Sequence, residues 1–348
     1  MLNQRKLMNR KRMGLVAVCM LSLISCSKDD STEPAKPTQQ IHYTLASKAE
    51  GEVELMSNEH YFNSLGQADI DWRVRKTGAT LDELKTFAKA QVMDFTDEQK
   101  TVVKRGIDAI EARLAAMHVQ LPFPKDITYV CTSMNEEGGS QAYTHKTAVY
   151  LGPHFFTNHA NLDDPATFNH FLYVMAHELF HCLTRNDADF RKTMYNLIGF
   201  TVMEQDLQLK GENKSMMLSN PDVEHIDNYA EFTINGQKRK CELMVLYSKT
   251  WAEASAGVED PSSVFFFRNF RQVLVPIDAT DTNYDIDQVP DFWDRVGRNT
   301  TYVFAPEECM ADNFGFAIAY GLNGKDYQTP ELIRNIITTL QQKYPSKI

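Results

Sequence analysis

Phe168-Asn169-His170-Phe171-Leu172-Tyr173-Val174-Met175-Ala176-His177-Glu178-Leu179-Phe180-His181-Cys182-Leu183 is the stretch on which the fold and the chemistry both turn. Its apolar residues recur at helical spacing and leave almost no polar face, which is the pattern of a helix buried all round. Asp164 ahead of Pro165 supplies a cap and a first-turn proline, so the helix opens there and runs to about Arg185. His177, Glu178 and His181 are therefore polar groups inside a core, and such groups are costly unless paired or bound to a metal. Four residues advance a helix by about 400°, so the two imidazoles project from one face a turn apart and can share one ion. Glu178 points about 100° away from His177, beside that ion but outside its coordination. The His-Glu-x-x-His arrangement leads to the expectation of a Zn²⁺ ion that would lower the pKa of its water to about 7, with Glu178 as the general base.

A catalytic zinc takes a third protein ligand and keeps an open position. The leading candidate is Glu308, in Pro306-Glu307-Glu308-Cys309-Met310-Ala311-Asp312, where helical spacing sets Glu308 and Asp312 on one face. Glu308 would bind the metal while Asp312 accepts the remaining N–H of a ligand histidine and so fixes its tautomer. The competing role is that of a surface acid attracted to a helix N-terminus, for which Glu307 is also placed. Asp187, six residues after His181, is the competing ligand; its position is similar to that of the third ligand in metzincins, but Thr184 stands where that family has its turn-forming glycine. His170 reads as a packed or hydrogen-bonded histidine.

With His-Glu-x-x-His on one helix and Glu-x-x-x-Asp on a later one, the chain resembles the gluzincins, the thermolysin-type branch of zinc peptidases. More closely it resembles a group of uncharacterised bacterial zincin-like proteins. That likeness extends through His181-Cys182-Leu183-Thr184-Arg185, Tyr195-Asn196-Leu197-Ile198-Gly199-Phe200, Ala142-Tyr143-Thr144, Asn220-Pro221-Asp222 and Gly297-Arg298-Asn299-Thr300-Thr301-Tyr302, and covers residues 80 to 340. The resemblance implies an α+β, zincin-like fold, mostly helical, with a small twisted sheet packed on the active-site helix. It implies an edge strand, Ala142 to Thr144 here, that pairs with an extended peptide substrate. It also implies a donor to the developing oxyanion, for which Tyr302 leads and Tyr143 and His225 follow. The interval between His181 and Glu308 exceeds the one thermolysin uses, which leaves the shape of the cleft open.

Around this centre the remaining sequence is organised simply. Arg5, Lys6, Arg10, Lys11 and Arg12 precede an apolar run from Met13 to Ile24, the build of a secretory signal over residues 1–25. Leu23-Ile24-Ser25-Cys26 resembles a bacterial lipobox, which would make Cys26 the lipidated first residue of an outer-membrane lipoprotein. Ser27-Lys28-Asp29-Asp30 resembles the acidic tag of lipoproteins exposed at the cell surface. Loss of the leader removes five positive charges and takes the formal net charge from −10 to −15, which argues against a nucleic-acid partner. Residues 26–48 read as a lipidated, Pro-containing tether, and 49–348 as one domain. Thr80, with Glu83 in capping-box spacing, opens one helix, and Thr96 caps a second that ends before Pro122. Strands follow over 127–132, 142–144 and 148–151. Asn235-Gly236 marks a hairpin, and helices over 306–320 and 330–344 close the chain. Cys131, Cys182, Cys241 and Cys309 lie in a compartment that permits disulfides, with no Cys-x-x-Cys spacing among them. The leading expectation is a zinc peptidase; the alternative is a surface lipoprotein that keeps the fold for binding or adhesion without turnover.

Overall fold

Local signals of helix starts and turns are realised closely. Thr80 and Thr96 both close capping boxes, opening helices Leu81–Lys89 and Asp97–Ala116. Asp164 accepts from the Thr167 N–H and opens the motif helix, Pro165–Asn186. Pro306–Tyr320, the carboxylate helix, and Pro330–Lys343 follow the same proline rule. The computed structural model describes residues 40–261, 264 and 268–346. The leader over 1–25, Cys26 and the tether as far as residue 39 lie outside the described residues.

The tether reading is corrected at its end. Ile41 is fully buried, and Tyr43–Leu45 (β1) pairs in parallel with Ile127–Thr132 (β3), so the domain begins before residue 49. Val92–Met93 (β2) also pairs with β3, and Ala148–Leu151 (β5) lies between β3 and Ala142–His145 (β4). The order β1-β3-β5-β4 leaves β4 at an edge. Because side chains alternate across a strand, Ile127, Tyr129, Cys131, Val149 and Leu151 face the core that contains the motif helix. Val130, Ala148, Tyr150 and Tyr143 face the opposite layer, with Leu55, Phe62 and Leu84 from the N-terminal helices.

A second, antiparallel sheet goes beyond the single hairpin expected. Thr201–Val202 (β6), Asn228–Ile234 (β7), Gln237–Tyr247 (β8), Phe270–Pro276 (β9) and Tyr284–Asp285 (β10) run in the order β10-β9-β8-β7-β6. Asn235 and Gly236, both at positive φ, make the β7–β8 turn. With 47% helix and 17% strand, the fold is mixed and mostly helical, as expected at that level. Among the described residues, no helix is long and apolar enough to cross a membrane, and all four cysteines are buried and unpaired.

What positions the site is the packing of the motif helix on the carboxylate helix. The first is buried at Phe171, Leu172 and Val174 through Thr184, and the second from Pro306 through Ala319. Tyr173 stacks on Phe316 with ring centroids 4.8 Å apart, and Phe180 packs on Phe314 at 5.4 Å. Gly315 sets their separation, because a Cβ there would lie 2.8 Å from the backbone carbonyl oxygen of Tyr173. Gly315→Ala is therefore expected to destabilise the domain by about 1–3 kcal/mol through forced separation of the helices. Urea unfolding checks this, and a midpoint equal to that of the parent chain would show that the helices part without cost.

Candidate metal centre

The carboxylate helix presents three acids to the motif helix: Glu307 and Asp312 each hold a different histidine from behind, and Glu308 lies between the two rings. His177 Nδ1 donates to Asp312 Oδ1 at 2.9 Å, and His181 Nδ1 donates to Glu307 Oε1 at 2.8 Å. An ionised carboxylate only accepts, so each ring holds a proton on Nδ1 toward its acid and turns Nε2 inward. The two Nε2 atoms approach the same oxygen, Glu308 Oε2, at 3.1 Å from His177 and 3.6 Å from His181. One ligand atom from each of His177, His181 and Glu308 lies within 4.8 Å of the others. Donors held about 2.0–2.2 Å from a shared ion stand roughly 3–4 Å apart, so these separations suit a single divalent cation.

Two buried atoms at this place have no hydrogen-bond partner. They are His181 Nε2 and Glu178 Oε2. Orphaned buried polar atoms are costly, and a cation with a coordinated solvent molecule is what their chemistry would satisfy. Burial opposes a proton on His177, but hydrogen bonds to Asp312 and Glu308 outweigh it and raise the imidazole pKa well above its usual value. Burial likewise opposes protonation of His181, and Asp222, Glu307 and Glu308 reverse the sign. Burial first, and the nearby Asp222 carboxylate second, push the Glu178 carboxyl far above the ordinary range.

The supporting acids are themselves held. Asp312 accepts from Tyr173 and Thr300 as well as His177, and Glu307 accepts from Thr184 Oγ1 at 2.6 Å and from Tyr195. Glu307 is 4% exposed, which corrects its reading as a surface acid at a helix N-terminus. A ligand histidine with a fixed partner is more basic and better aimed. Glu307→Gln is thus expected to weaken metal binding by about 10–100-fold, measured by competition with a chromophoric chelator. Unaltered affinity would limit Glu307 to a packing role.

Asp187 is excluded as the third ligand, since its carboxylate caps the helix Ala188–Asn196 by accepting from the Phe190 N–H. His170 hydrogen-bonds His159 at 2.8 Å. Tyr302 lies half-buried beside the centre, its ring 6.1 Å from that of His177, and burial raises its pKa so that the hydroxyl keeps its proton. Tyr143 is directed elsewhere, stacked on Tyr150 and donating to Glu136 at 2.9 Å. His225 is exposed and bonded to Asp206, outside this centre.

Sequence reasoning found no role for the segment Ser219–Asp222, which the fold lays across the site. Asn220 donates to Glu308 Oε1, and Asp222 Oδ1 stands 3.9 Å from His181 Nε2. Asp222 also accepts from the Thr144 N–H and hydroxyl, each at 2.6 Å. β4 is at the sheet edge as expected, yet one of its outward amides is already engaged. Arg185 braces the arrangement, donating to Thr144 Oγ1 at 2.6 Å and to the Pro221 carbonyl at 3.1 Å. The only earlier signal was the likeness of Asn220-Pro221-Asp222 to the zincin-like group. No family model matches the chain, and no curated protein or solved structure matches it either.

Proposed function

We propose that this chain is a zinc-dependent peptidase of zincin-like fold, hydrolysing peptide bonds with Glu178 as general base. The observation that carries the reading is the convergence of two imidazole Nε2 atoms on one Glu308 oxygen, with each ring locked from behind by its own acid. When bound, Zn²⁺ would supply a Lewis acid that polarises the scissile carbonyl and acidifies water. His177, His181 and Glu308 would hold it. Glu178, buried next to His181 with one oxygen unpartnered, would take the proton from the attacking water and pass it to the leaving amine. Tyr302, kept protonated by burial, would donate to the oxygen on which negative charge develops.

The donor chemistry, two imidazoles and a carboxylate, suits zinc among the borderline metals. Elemental analysis of the purified chain, together with cleavage profiling on a mixed peptide library, tests the reading. The expected result is bound zinc and cleavage that stops on chelation; cleavage indifferent to chelator, or a buried centre that takes no metal, would overturn it. One observation favours the second reading, a lipoprotein that binds without turnover: His181 and Glu308 are both fully buried behind Asn220 and Asp222. Full zinc occupancy with no cleavage of any library member would establish that alternative. The N-terminal sequence supports an outer-membrane lipoprotein anchored through Cys26. Cys26→Ser is expected to move the protein out of the membrane fraction, and unchanged fractionation would refute lipidation there.

A further inference from the structure

Away from the buried centre, three metal-ligating side chains from three separate segments meet at the surface. His60 comes from the short helix Glu59–Ser64, Asp206 from the stretch after β6, and His225 from the segment that continues Ser219–Asp222. One ligand atom from each lies within 4.8 Å of the other two. Asp206 is set by its other contacts, accepting from the Ile226 N–H at 3.0 Å while Oδ2 stands 3.3 Å from His225 Nδ1. The His60 and His225 rings sit 5.9 Å apart. All three residues line a cavity of about 680 Å³, so the space they enclose opens to solvent and to a pocket large enough for a ligand.

We propose that His60, Asp206 and His225 form a second site for a first-row divalent metal ion, distinct from the buried centre. Two imidazoles and one carboxylate select zinc, cobalt, nickel or copper over calcium or magnesium, which take oxygen donors. Three donors each about 2.1 Å from one ion stand roughly 3.4–3.6 Å apart, so turning the two exposed rings to draw their nitrogens inward by up to about 1 Å closes the site. Three protein donors leave positions open toward the cavity, which makes the ion exchangeable and able to take a further ligand there. An ion bound here would also clamp the Glu59–Ser64 helix to the segment whose Asn220 and Asp222 lie over the buried centre.

The test is equilibrium dialysis of the full chain against Zn²⁺, followed by metal analysis. Two equivalents are expected for the parent chain, and one for His225→Ala and for His60→Gln. A His177→Ala, His181→Ala double variant should keep one equivalent, which separates this proposal from the fate of the buried centre. If both single variants bind as many equivalents as the parent, the outer site is refuted. It is refuted equally if the parent binds one equivalent and both single variants retain it. Should the double variant fail to fold, the two exposed single variants still decide, because neither residue belongs to the core.

Discussion

Glu178→Gln is expected to leave the metal content of the chain unchanged and to lower peptide hydrolysis by about 10²–10⁴-fold, the usual contribution of a positioned general base. The amide keeps the size of the carboxylate and fills the same buried space, so His177, His181 and Glu308 retain their separations. It cannot accept a proton. Glu178 is 5% exposed, and its carboxylate has one oxygen without a partner and is made more basic by burial and by Asp222, all of which suit proton abstraction next to a cation. His181→Ala is expected to lose both metal and hydrolysis, because it removes an inward Nε2 and strips Glu307 of the donor at 2.8 Å. Metal analysis and initial rates on one peptide substrate separate the two variants. Wild-type cleavage by Glu178→Gln would remove the general-base role, whatever the metal content.

Arg73→Ala is expected to cost about 3–5 kcal/mol of folding stability, the penalty for leaving buried partners of a charge unpaired. Arg73 is 2% exposed and bonds Asp69 at 3.1 Å, Glu137 at 2.8 Å, the Tyr61 hydroxyl at 2.8 Å and the Ser219 carbonyl at 2.6 Å. Asp69 in turn accepts from the Ser219 N–H at 2.9 Å and its hydroxyl at 2.8 Å. Removal of the guanidinium leaves two carboxylates facing each other in the interior, with no solvent to screen them. Lysine is a poor substitute, since one ammonium cannot span acceptors arranged around a planar fork. Lys104→Ala is the control: its bond to Asp108 at 2.6 Å is solvent-exposed, and loss of such a pair costs under about 1 kcal/mol. Urea unfolding of the three proteins decides, and similar midpoints for Arg73→Ala and the parent would show that this network contributes no net stability. Because Ser219 leads directly into Asn220 and Asp222, the same network anchors the segment over the candidate metal centre.

The elements legible in the sequence are those whose determinants lie within a few residues of one another. Thr80 with Glu83 and Thr96 with Gln99 satisfy orphan amides three positions away, so each helix start is written locally. Asn235-Gly236 at positive φ is equally local. Beyond the β7–β8 hairpin the second sheet was not legible, because long intervals separate β6 from β7 and β8 from β9. β8 and β9 pair across Leu243 with Leu274, and Met244 with Val273, and short apolar runs of this kind do not distinguish a strand from a piece of buried helix.

The same division holds in the candidate metal centre. The sequence alone determined that His177 and His181 share a helix face, with Glu178 beside them, because 3.6 residues per turn leaves no other outcome. It also pointed to Glu308 and Asp312 as one face of a later helix. Only tertiary structure decided that Glu307 holds His181, that Asp187 is a cap, and that Asn220 and Asp222 lie over the site. Those assignments depend on how closely two helices over a hundred residues apart approach, a distance set by Gly315 against the Tyr173 carbonyl. Local hydrogen bonds and periodicity act within a turn or two of chain, whereas the meeting of remote side chains is settled by the packing of the whole core.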